Sequence, residues 1–361
     1  MGERSMKWRC VRLLALTFGA SLACLVQVAG AACVPDVSPD ETAERFLKRL
    51  PSSCTQAERE AHVVSGSAIL DALEKGQSVE LVGVIVRGDL NFDRIPVQKT
   101  GTGEGSSRKE QESAKSQELR LIRGALLVRD SVVAGAVRHR SDHGQLRFEG
   151  PVDFHGTTFQ EGVDLSRSIF QGPVELAGAV FQKEAYFIQG QFLQAMNCAN
   201  TTFGPHTRFH RSTFQGPVDC AGALFDGMAE WLEVTFEEQA VFARARFGSG
   251  TGFSGTRFMH RVSFEESIFS RDAFFTFALF NDTALFAGAQ FLGPADFSDA
   301  DFRKSDDLSQ ARFDRPPQLT RAKRLAQEQA SDGFDALLDR HGITLVCLLL
   351  ALLLLVYIWK V

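Results

Sequence analysis

Few side chains in this chain of 361 residues are spaced for chemistry, and each set has a structural competitor. Cys198 and Cys220 lie 22 residues apart. If the chain winds with that period they stack at the β-sheet spacing of about 4.8 Å, inside the Cα range of a disulfide. Parallel side chains rarely reach the dihedral a disulfide needs, so they read as two small buried hydrophobes. Cys33 and Cys54 bracket a short segment, and in an oxidising compartment they suit a disulfide. His206 and His210 have metal-like spacing, but the inward Phe209 between them puts the two across a turn, as solvated surface. Asp153, Glu175 and Asp219 fall in one outward column, the arrangement that acid–base chemistry would require. The same column also holds Asn197, Val241, Ser263 and Leu285, so solubility explains the carboxylates better. No Ser/His/Asp set, phosphate loop or zinc spacing appears. The sequence therefore predicts no catalytic, cofactor-binding or metal-binding residues, and no enzyme.

The composition points elsewhere. There are 31 Phe against 2 Tyr, and a core that asks for Phe this often has one pocket repeated many times. The anchors run Phe154, Phe159, Leu165, Phe170, Leu176, Phe181, Phe187 and Phe192, stepping by five and six in alternation. The series continues without a missed step through Cys198, Phe209, Phe214, Cys220, Trp231, Phe236, Phe264, Phe269, Phe297, Phe302 and Leu308 to Phe313. Two residues before each anchor the side chain is small or β-branched, as at Val152, Thr157, Val163, Ala284 and Ala295, with Met196 and Asp306 the clearest exceptions. A large anchor with a small partner two residues earlier is the period of a strand, not of a helix. Strands this short cannot stand alone, and Gly-Pro pairs such as Gly150-Pro151, Gly172-Pro173 and Gly293-Pro294 mark recurring corners. The chain must coil so that each strand pairs in parallel with the equivalent strand one coil away.

These units, such as Ala289-Gln290-Phe291 and Ala300-Asp301-Phe302, resemble the pentapeptide-repeat family over at least Phe148–Phe313. The resemblance implies an all-β, right-handed, quadrilateral parallel β-helix with four faces per coil. This sequence departs from the strict pattern by one extra residue in every second unit, which predicts a 22-residue coil widened at opposite corners. The usual Asp or Asn before the anchor survives only partly, at Asp153, Asp164, Asn197, Asp219 and Asp296. The register extends weakly upstream through Leu121, Leu126, Val132 and Val137, with His143 as a misfit, and roughly nine coils are expected over Leu121–Phe313.

Around this core the reading is as follows. Residues 1–31 form a signal peptide, with Arg4, Lys7, Arg9 and Arg12, an apolar run and an Ala29-Gly30-Ala31 cleavage site. An uncleaved membrane helix is the rival reading. Residues 32–78 make an N-terminal helical cap, with the capping box Thr55-Gln56-Ala57-Glu58 opening a helix to about Leu73. Residues 79–315 are the β-helix, interrupted by a polar, Gly/Ser-rich excursion at 99–117. Pro316-Pro317 ends the ladder, 316–341 reads as a membrane-proximal helical segment, and 342–361 as a transmembrane helix. The signal peptide places the body outside the cytoplasm, in a bacterial cell envelope. Arg321, Lys323, Arg324 and Arg340 before the tail oppose this, since positive charge favours the inner side.

Net charge is −5 with pI about 6.0, which argues against a general nucleic-acid binder. The function expected is a membrane-anchored scaffold or protein-binding surface. Phe274 and Phe277, flanking the inward Phe275, are the candidate partner patch. The resemblance supplies an alternative, because some family members mimic DNA and bind type II topoisomerases. Residues 148–314 carry 22 Asp+Glu against 12 Lys+Arg, acidic enough for that role, but the export signal opposes it. An enzyme acting on cell-surface glycan is a further alternative, without the paired carboxylates it needs. The resemblance also raises a homodimer formed through the last coil.

Overall fold

The computed structural model describes residues 33, 45–98, 118–139 and 144–324. Residues 1–32, the excursion at 99–117, His143 and the 342–361 segment lie outside these, as does 325–341. The chain divides at Ala32/Cys33, and the second unit holds all of the described residues.

That unit is a parallel β-solenoid of about eleven turns, bounded by four sheets. In the order the chain visits them, face A has ten strands from Arg45–Arg49 to Ala284–Leu285, and face B eleven from Val64–Ser65 to Arg312–Phe313. Face C has nine, from Leu90–Asn91 to Ala295–Asp296, and face D eleven, from Val97–Gln98 to Lys323–Arg324. Pairs such as Val152↔Val174, Phe159↔Phe181 and Phe170↔Phe192 fix the coil at 22 residues. Most strands are two residues long. That length places one side chain on the ladder and turns the next inward before the corner.

Every inward anchor stacks on its equivalent one coil away. On face B the rings from Phe159 to Phe313 follow one another at 4.6–5.1 Å, tilted by only 2–9°. Each such pair adds about 0.5–1.5 kcal/mol beyond its buried area. Across the bore, rings of neighbouring columns meet edge to face, as Phe258 does with Phe264 at 6.0 Å and 89°. Phe154, Phe159, Phe209, Phe214, Trp231, Phe236, Phe264, Phe269, Phe297 and Phe302 are all buried.

The two step lengths make two kinds of corner. Five-residue steps, between faces A and B and between C and D, close with a backbone N–H bonded back three residues, as Thr157 N donates to Phe154 O at 3.1 Å. Their third residue is left-handed, and such residues recur every eleven positions from Gly156 (φ 62°) through Arg167, Gly178 and Gln189 to Asp299 (φ 58°). Six-residue steps form the other two corners, where the Gly-Pro pairs sit. The extra residue therefore widens opposite corners while the tight corners carry the left-handed turn.

Three boundaries differ from expectation. The ladders begin before residue 79: β1 (Arg45–Arg49) and β2 (Val64–Ser65) already pair in faces A and B. The predicted continuous helix is split by β2 into α1 (Gln56–Ala61) and α2 (Gly66–Glu74). Thr55 and Glu58 do form the capping box, and α2 buries Ile69, Leu70, Ala72 and Leu73 against the first strands. The ladder also runs past Pro316-Pro317. Gln318 bridges to Asp296, and Lys323–Arg324 pairs with Asp301–Phe302. Pro316 is 22 residues after Pro294, so it sits at a corner that has no ladder N–H to lose. The helical reading of 316–341 thus fails over its described part.

The ladder partners are further apart than 22 residues here, 26 from Val137 to Val163 and 47 from Leu90 to Val137, and the added length enters between faces C and D. There Val97–Gln98 pairs antiparallel with Leu119–Arg120, and His139 bonds Asp93 at 2.9 Å.

Candidate functional site

The outward carboxylate column on face A is occupied in building corners. Asp153, Glu175, Asn197 and Asp219 each accept a hydrogen bond from the backbone N–H two residues on, at 2.9–3.0 Å. Asp164 and Asp296 do the same on face C, at 3.1 and 2.8 Å. Asp153 also takes Arg129 Nε at 2.6 Å, and Glu175 takes Asn197 Nδ2 at 3.1 Å. The Asp or Asn before the anchor is therefore the cap of the next turn. His210 lies 3.3 Å from Glu230, while His206 is exposed at the start of its strand. Among the described residues no group of His, Cys, Asp or Glu is arranged to hold a metal ion.

The four cysteines among the described residues form two disulfides. Cys33 and Cys54 are joined across a Cα separation of 5.1 Å. Cys198 and Cys220 are also joined, at 4.6 Å, and the reading of two independent buried hydrophobes is corrected. They occupy two successive anchor positions of the face A column, where parallel pairing brings the backbones within bridging distance. Small anchors there leave room across the bore. Trp231, the opposite anchor in the coil of Cys220, fills it and stacks on Phe209 at 4.1 Å.

The exposed ladders are salt bridges between coils. Arg208 reaches Glu230 at 2.7 Å and lies over the Tyr186 ring. At the left-handed corner Arg211 pairs with Glu233 and Arg321 with Asp299, each one coil apart. The guanidinium of Arg321 holds the Asp299 carboxyl below its ordinary value, and Arg211 does so for Glu233. Asp282 is lowered by Lys304 and by the Thr283 N–H.

One surface departs from this polar pattern. Phe274 and Phe277 are 43% and 68% exposed. Phe274 is the outward residue of its face C strand, and Phe277 is the left-handed residue (φ 57°) of the next corner. Each stands one coil above a glycine, Gly252 and Gly255. With no side chain at 252, the strand opens into a notch of about 200 Å³, with Met228, Leu232, Thr251 and Phe274 on its walls. A Cβ on Gly252 would meet Leu232 Cδ2 at 2.8 Å, and the leucine side chain would have to turn aside. The sequence placed the two rings outside, but not the glycine shelf beneath them, which needs the 22-residue pairing to be seen.

Stacked coils, an apolar bore and a surface of short polar ladders define a β-solenoid scaffold, a class that works through its surface. Residues 147–188 match the family model of pentapeptide repeats (9 copies), and the same phase continues along the rest of the coil, so the solenoid is built of pentapeptide-type repeats. No curated protein and no solved structure matches the chain.

Proposed function

We propose that the chain is a membrane-tethered scaffold outside the cytoplasm, whose solenoid offers surface to protein partners and performs no catalysis. The observation that carries this reading is the pair of disulfides, one of them inside the Phe core. Persistent disulfides belong to oxidising compartments, and the basic-then-apolar N-terminus of the sequence fits export to one. The charge-free run 343–359 supplies the tether. Among the described residues no helix is long and apolar enough to cross a membrane, and this run lies outside them. Helix α2, packed on the first strands, serves as the cap that shields the first coil's edge.

Reporter fusions after Gly250 and at the C-terminus test the placement, one reporter active only outside the membrane and the other only inside. Activity of the outside reporter at Gly250 is expected. Activity of the inside reporter there rejects the reading. It would then favour the second one, a DNA-mimicking β-helix that binds a type II topoisomerase, for which the acidic balance of residues 148–314 speaks.

A further inference from the structure

Four of the five exposed large apolar side chains among the described residues lie on one side, in the C-terminal half of the solenoid. Met228 and Phe274 belong to face C strands, whereas Leu319, the fifth, takes the anchor position after Phe297 and faces the open end of the bore beside Leu308 and Phe313. Leu292 stands at the corner entering face C, and Phe277 at the corner leaving it. Faces A, B and D have none of their own. Phe277 carries two costs at one position: a bulky side chain in a left-handed conformation, and a ring held in water. Such a residue persists where something outside the fold receives it.

We propose that this side of the last coils lies on a lipid bilayer, with Phe277 and Phe274 seated at the boundary of headgroups and acyl chains. The inference rests on the membrane tether proposed above and extends it to a second, lateral contact. Three observations select a bilayer as the occupant. The patch is within about two coils of Arg324, beyond which residues 325–342 lead to the charge-free run 343–359. Those eighteen residues span up to about 60 Å when extended, ample reach to lay face C on the membrane that holds the run. The most exposed residue is a protruding ring at a corner, the form of an interfacial anchor. Finally, the rim around Phe274 and Phe277 is mixed, with Arg271, Arg315 and Arg321 beside Asp272, Asp296, Asp299 and Asp314. That rim favours no strongly charged partner and no particular headgroup charge.

The test uses the full chain in nanodiscs of phosphatidylcholine containing a diazirine-bearing phosphatidylcholine, with and without phosphatidylglycerol. After photolysis, lipid adducts are located by tandem mass spectrometry on the tryptic peptides 272–303 and 341–360. Adducts are expected on both, at Phe274, Phe277 and Leu292 in the first, in equal yield with and without the anionic lipid. The double variant Phe274→Ser/Phe277→Ser should lose the first adduct and keep the second, with an unchanged circular dichroism spectrum. Adducts on 341–360 alone would overturn the lateral contact while leaving the tether. In that case benzoylphenylalanine at position 277 crosslinking to a protein would reassign the patch to a protein partner. Adducts on neither peptide would reject the tether, and the lateral contact with it.

Discussion

Phe277 shows how one residue can be paid for by its neighbours. Its turn would close more comfortably with Asn, which tolerates the left-handed region. Phe277→Asn should therefore raise stability, by about 1 kcal/mol, in denaturant unfolding, even as it removes a surface anchor. Inward rings behave oppositely. Phe258 stacks on Phe236 at 5.1 Å and on Phe280 at 5.2 Å, and a cavity there has no side chain free to fill it. Phe258→Ala should cost about 3–5 kcal/mol in the same measurement. The charged ladder gives a pH signature. Asp299, Asp282 and Glu233 have folded-state values below the ordinary 3.8 and 4.5. Their stabilisation is therefore present above those ordinary values and is lost as pH falls through the lower, folded ones. Asp299→Asn should lower the melting temperature at neutral pH, and the gap to the parent should shrink once the solution is more acidic than the ordinary carboxylate range.

At the scale of strand and corner, the alternation of anchor and small residue was legible because each face of the coil turns only the anchor and the residue two before it inward. The corners at Gly156, Gly178, Gly222, Gly255 and Gly288 were legible as well, but not the left-handed corners that Arg167, Glu233 and Phe277 occupy, because those residues carry no turn signal. Their positions follow from the five-residue step, which has room for only a tight turn. Pro316-Pro317 misled because a proline pair usually ends a ladder. Its phase relative to Pro294 marks it as one more corner. β1 escaped notice because RFLKR lacks the anchor spacing, and it is recruited by pairing with Ser78–Val82. The bridge between Cys198 and Cys220 turns on side-chain rotation within a stacked pair, which spacing does not encode. Peptide mapping without reductant should recover both Cys33–Cys54 and Cys198–Cys220. Reduction should lower the melting temperature, since each bridge closes a loop of about twenty residues, worth about 3 kcal/mol.

For the whole solenoid, each coil touches chiefly the coils before and after it, so stability accumulates by neighbours. Removing residues 240–261, one period, should leave a folded, shorter solenoid with the same circular dichroism shape per residue. Removing 240–259 shifts every later anchor off its column and should leave a chain that digests readily with protease. The candidate surface was only partly legible at this scale. Phe274 and Phe277 could be assigned outward from their flanking anchor. That Met228 and Leu292 share their side emerges only when positions far apart in sequence are wound onto one face.

The 22-residue pairing also governs how the molecule can come into being. Because the backbone partners of a new strand were laid down only one turn earlier, a growing end needs no distant segment to arrive before it can dock. A chain delivered N-terminus first can therefore wind as it emerges, with α2 and the first strands as the template and each finished turn as the mould for the next. Beyond the first coils, where partners such as Leu90 and Val137 are 47 residues apart, the entropic cost of closure stays the same at each step, so assembly should advance at a steady pace along the thread rather than wait for its completion.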